Sequence, residues 1–156
     1  MNHETVTKVE DLTFHYDHHR QAVKELISIF HGKEGVLALV FGGSVAKHME
    51  RADSDIDGMV IVTPEFYENV RKANRTAECI AMGDCAYPGG YFDVKYMTKD
   101  YICDAAQKGS EPTRNSFIGS SVLFTADPEI PDLVARIPVF QKQESEDKML
   151  SFYSNL

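Results

Sequence analysis

The residues of this chain best suited to chemistry are paired carboxylates. Asp55-Ile56-Asp57 sets two acids at positions i and i+2, just ahead of the apolar run Met59-Val60-Ile61-Val62. In a strand such positions share one face. Two carboxylates side by side in an interior repel each other, at a cost on the order of several kcal/mol. A divalent cation between them removes that cost. Mg²⁺ suits the pair, since it takes one or two carboxylates and completes its shell with water and substrate phosphate oxygens; Mn²⁺ favours the same hard donors. Asp53-Ser54-Asp55 repeats the spacing two residues earlier, but Asp53 stands farther from the apolar run and is assigned to the preceding loop. A third acid, Asp93, sits alone in Tyr91-Phe92-Asp93-Val94-Lys95-Tyr96-Met97. An acid in such a strand needs a metal, a salt bridge or solvent. Lys95, two residues on and so on the same face, is a candidate partner.

A second group of residues is suited to anions. The apolar run Val36 to Phe41 ends in Gly42-Gly43-Ser44. Two glycines let backbone come close to a ligand, and a helix starting there offers free N–H groups to a phosphate. Ser44 adds a hydroxyl. Each feature has an ordinary reading by itself: a turn, a chance acid repeat in an acidic chain, a salt-bridged strand residue. Jointly they describe an anion cradle one helix upstream of a metal-binding acid pair, with a third acid arriving on a later strand.

Those residues need a scaffold, and the periodicity supplies one. Val23, Leu26, Ile27 and Phe30 recur at helical spacing after Asp17, read as the cap, and Gly32 closes that helix. Val36–Phe41 reads as a buried strand and Ser44 to Glu50 as a helix. Further strands are expected at Ile56–Val62, Glu78–Met82, Tyr91–Met97 and Val122–Phe124. Further helices are expected from Pro64 to Ala73, Lys99 to Gln107, Arg114 to Ile118 and Pro131 to Ile137. The expected fold is α+β with α/β character, a small mixed sheet flanked by helices. One catalytic domain is assigned to residues 1–140. A C-terminal helix is assigned to residues 141–156, either packed back on the domain or opening a further helical region.

The combined pattern resembles the nucleotidyltransferase superfamily typified by DNA polymerase beta. The residues that carry it are Leu39-Val40-Phe41-Gly42-Gly43-Ser44, then Asp55-Ile56-Asp57, then Phe92-Asp93-Val94. The short form Gly43-Ser44-Val45-Ala46-Lys47 followed by Ser54-Asp55-Ile56-Asp57 is similar to antibiotic nucleotidyltransferases and to minimal, toxin-paired ones. Two positions depart from those branches: His48 stands where a glycine is common, and Gly58 where an apolar residue is usual. The resemblance implies transfer of a nucleoside monophosphate from an NTP, ATP first among candidates, to an acceptor hydroxyl, with release of pyrophosphate. It implies two Mg²⁺ about 4 Å apart on Asp55, Asp57 and Asp93, with Asp93 on the acceptor side. Gly42, Gly43, Ser44, Lys47 and Lys95 would contact the nucleotide, and Arg114 is a further phosphate candidate.

Composition narrows the classes. At 156 residues and 43% hydrophobic, the chain can bury a core. A net charge of −8 with no Lys/Arg run argues against nucleic acid as the main partner. It favours a cationic acceptor through long-range attraction. No apolar run nears the roughly 20 residues that span a bilayer, and the polar start is not a secretory signal, so the expected compartment is the cytoplasm. Cys79, Cys85 and Cys103 make an odd set without Cys-x-x-Cys, read as reduced and mostly packed. His15-Tyr16-Asp17-His18-His19 is read as a solvated helix entrance rather than a metal site. No P-loop or Gly-x-Gly-x-x-Gly occurs. The alternatives are a glycosyltransferase using Asp-x-Asp with Mn²⁺, and a non-catalytic nucleotide-binding regulatory module.

Overall fold

The computed structural model describes residues 1–139. The helix assigned to residues 141–156 lies outside them. The strands are β1 (Glu4–Thr5), β2 (Val36–Gly42), β3 (Ile56–Val62), β4 (Ala77–Ile80), β5 (Phe92–Thr98) and β6 (Ser121–Thr125). The helices are α1 (Asp17–Phe30), α2 (Gly43–Ala46), α3 (Pro64–Lys72), α4 (Lys99–Lys108), α5 (Glu111–Phe117) and α6 (Ile130–Arg136), with a 3-10 turn at Val9–Asp11. The expected α+β fold with a small mixed sheet is what forms. The strand order is β1-β6-β2-β3-β5-β4. β3 and β5 run parallel, and the other neighbours are antiparallel.

Strand alternation divides the core into two layers. Ile56, Val60 and Val62 of β3 pack with Phe92, Val94 and Tyr96 of β5 against Ala22, Val23, Leu26 and Phe30 of α1 and Val70 of α3. The opposite set, Met59 and Ile61, joins Ala38 and Val40 of β2 beneath Ile102, Ala105, Phe117, Ile130 and Val134. Each large side chain buried this way contributes about 1.5–3 kcal/mol. The period-two pattern therefore forces Asp57, Asp93 and Lys95 onto the α4–α5 side of the sheet.

Helix starts follow local chemistry. Thr63 caps α3, its Oγ1 accepting from the Phe66 N–H at 3.2 Å, with Pro64 in the first turn. Thr98 does the same for α4 with the Tyr101 N–H. Asp17 is not the cap of α1. Tyr16 holds that position without a side-chain bond, and Asp17 lies in the first turn, where its charge favours the positive helix end.

Three further expectations need correction. α2 is one turn, not a helix reaching Glu50. It stops because His48 turns left-handed, at φ 60, and a separate turn follows from Arg51 to Ser54. That backbone is the one glycine favours, so the departure at His48 falls at a position with a conformational reason for glycine. The helix entrance is not wholly solvated. His19 is fully buried, its ring against His18 and Tyr87 at 4.4 and 5.2 Å between centroids. The cysteines are free, but Cys79 is exposed and the other two are half-buried, so packing is not their common role. The departure at Gly58 has its own cause: a Cβ there would come within 3.2 Å of Leu26 Cδ2, so glycine lets α1 lie close on β3.

Candidate active site

Register gathers the acids. Asp57 lies opposite Gly42 on β2 and beside Asp93 on the parallel β5, making one row across three strands. Neighbouring strands are about 4.8 Å apart, so residues of one row on one face must meet. Asp55 lies one residue ahead of β3, two before Asp57. One carboxylate oxygen from each of Asp55, Asp57 and Asp93 lies within 4.8 Å of the other two, and all three residues are half-buried. This is the only such metal-capable group among the described residues.

The electrostatics ask for a cation. Burial, then the charges of Asp55 and Asp93, then a hydrogen bond with Asp93, push the Asp57 carboxyl up to about 7, with Lys95 opposing. Without a metal, Asp57 therefore holds a proton near neutrality. Three oxygen donors at this distance are a hard-cation set, and Mg²⁺ or Mn²⁺ fits it better than a softer ion.

Gly43 joins the cradle to the acids. Its φ is +80, and a Cβ built there would lie 1.8 Å from Asp57 Oδ2. Only a residue without a side chain can occupy that corner while Asp57 stays in place.

A cleft of about 380 Å³ opens over this face, within the size range of small-molecule sites. Gly43, Lys47, Asp57, Asp93 and Lys95 line it. Lys95 is exposed, and among the described residues no ion pair joins it to Asp93. Other expected residues lie elsewhere. Gly42 sits beneath, a Cβ there meeting Met59 Cε at 2.7 Å. Ser44 does not line the cleft, although its carbonyl accepts from the Met49 N–H at 2.9 Å and so ties down the loop beyond α2. Arg114 is buried, its Nε donating to the Gly109 carbonyl at 2.9 Å, and it does not line the cleft. The cleft's second wall comes instead from Tyr101 of α4 and Thr113, Asn115 and Ser116 of α5.

The loop that delivers Asp55 is pinned from outside. His18 Nε2 bonds the Ala52 carbonyl at 2.7 Å, and the Tyr87 hydroxyl donates to the Ser54 carbonyl at 2.6 Å. Arg51 N–H donates to Ser54 Oγ at 2.9 Å, and His15 Nδ1 pairs with Glu50 Oε1 at 3.0 Å. Residues of the helix entrance thus position the loop that carries Asp55. The clustered histidines were the only trace of this in the sequence. Burial first, and then His18, hold the His19 ring below its ordinary pKa, which keeps it neutral under the loop. Among the described residues no helix is long and apolar enough to cross a membrane. No family model and no curated protein matches the chain.

Proposed function

We propose that this chain is the catalytic domain of a metal-dependent nucleotidyltransferase, similar to the DNA polymerase beta-like superfamily. The observation that carries the reading is the row Gly42–Asp57–Asp93, with Asp55 beside it and Gly43 packed on the Asp57 carboxylate. It joins a three-acid cation site to a side-chain-free corner in one cleft. A glycosyltransferase Asp-x-Asp would have no need of that glycine corner or of the third acid.

In this reading Asp55, Asp57 and Asp93 hold Mg²⁺, which supplies charge neutralisation for the triphosphate and for the developing phosphate charge. Gly43 lets the phosphates approach the backbone. Lys47 and Lys95 place positive charge on two sides of the cleft. The acceptor hydroxyl oxygen attacks the α-phosphorus, the bond to the β-phosphate oxygen breaks, and pyrophosphate departs. Asp93 takes the hydroxyl proton. Holding the reactants in line does most of the work.

The test is transfer of label from α-labelled NTPs to hydroxyl-bearing small molecules and proteins, with Mg²⁺ or Mn²⁺. Label and pyrophosphate should appear in equal amounts, and Asp57→Asn should abolish both while the fold persists. Near-wild-type turnover in Asp57→Asn, or consumption of nucleotide sugars in place of NTPs, overturns the proposal.

A further inference from the structure

The cleft continues past the carboxylates, and β5 measures its length. The β5 residues that line it are Asp93, Lys95 and Met97. They are two residues apart, so each step is roughly 6.6 Å and the whole about 13 Å. Their chemistry runs from carboxylate to cation to apolar thioether. At Thr98 the chain turns into α4, and Thr98 Oγ1 fixes the first turn through the Tyr101 N–H. Tyr101 therefore lies beyond Met97, lining the same cleft, with 47% of its surface exposed. Tyr16 and Tyr91 are exposed as well, but of the three only Tyr101 lines the cleft, so its ring face is open to whatever enters there. The α5 wall supplies Asn115, exposed, whose side-chain amide has no hydrogen-bond partner among the described residues.

An NTP carries the same order of chemistry: metal-bound phosphates, then a sugar, then a flat apolar base with polar edges. We propose that the Met97–Tyr101 end of the cleft receives the nucleoside, the base stacked on Tyr101 and hydrogen-bonded by Asn115. The inference rests on the nucleotidyltransferase reading of the acids. Stacking is tolerant of base identity, since every base has a π-face. An Asn amide pairs in two-point fashion with N6 and N7 of adenine. The ring thus sets affinity and the amide sets a preference for adenine over guanine.

Two probes separate this inference from the reading it rests on: ATP, and inorganic tripolyphosphate, which has the phosphates and no nucleoside. Both are titrated by calorimetry with Mg²⁺. The wild type should bind both, ATP more tightly. Tyr101→Ala should weaken ATP binding roughly 5- to 150-fold and leave tripolyphosphate binding unchanged, which also shows that the variant is folded. Tyr101→Phe should restore ATP binding, and Asn115→Ala should bring ATP and GTP to equal affinity. Unaltered ATP binding in Tyr101→Ala overturns the assignment. So does a wild type that binds tripolyphosphate as tightly as ATP. A wild type that binds neither probe overturns the triad reading along with it.

Discussion

Replacing Gly43 by alanine separates a backbone effect from a site effect. The left-handed backbone at Gly43, φ +80, costs an L residue about 1–2 kcal/mol. Gly32 supplies the control: its φ is +76, and a Cβ there meets nothing within 4 Å, so Gly32→Ala carries the backbone cost alone. At Gly43 the added Cβ would stand 1.8 Å from Asp57 Oδ2 and 2.5 Å from its Cγ. Ordinary contact begins at 3.4 Å, so the Asp57 carboxylate must retreat by about 1–2 Å. A misplacement of about 1 Å at reacting groups costs on the order of 100-fold in rate. Both variants should lose about 1–2 kcal/mol in urea unfolding, Gly43→Ala somewhat more. Only Gly43→Ala should lose Mg²⁺-dependent NTP binding, and its transfer rate should fall about 100-fold. Equal NTP binding in the two variants would refute the reasoning, because Asp57 would then not be held where the corner places it.

Three further outcomes follow from the electrostatics. Asp57 keeps its proton to about pH 7 in the metal-free protein, so Mg²⁺ affinity should rise about tenfold per pH unit below 7 and level off above it, read by calorimetry from pH 5.5 to 8.5. The same raised pKa gives a stability contribution that is full below pH 4 and lost as pH rises through about 7. Thermal unfolding of the metal-free protein should therefore weaken over that window, and Mg²⁺ should restore it at pH 8. Lys95 opposes the rise at Asp57, so Lys95→Ala should move the midpoint of Mg²⁺ binding to higher pH; a midpoint that stays put or falls would contradict the assigned coupling.

Much of the site was legible because strand periodicity and short-range spacing govern it. The run ending at Gly42-Gly43, the acid pair ahead of Met59–Val62 and the lone Asp93 in an alternating strand each fixed a face. Pairing of β3 with β5 then brought the faces together. What was not legible depends on contacts distant in sequence. β1 is two residues held by pairing to β6 at the sheet edge, too short for any pattern. α5 forms a wall because Ser116 comes to rest near Gly42, 74 positions away in the chain, and no local signal announces that approach. Arg114 read as a phosphate candidate because its charge is visible in the sequence and its bond to the Gly109 carbonyl is not. His18 and Tyr87 support the Asp55 loop through single hydrogen bonds to carbonyls, a role any donor of the right reach would fill.

The central claim is that Asp55, Asp57 and Asp93 form a cation site that binds a nucleoside triphosphate. Calorimetric titration of ATP, GTP, CTP and UTP tests it most directly, with and without Mg²⁺, on the wild type and on Asp57→Asn. The account predicts Mg²⁺-dependent binding of at least one NTP, abolished in Asp57→Asn while that variant unfolds cooperatively at or above the wild-type temperature in metal-free buffer at pH 8. Failure of the wild type to bind any of the four with Mg²⁺ present, or undiminished binding in Asp57→Asn, would contradict it.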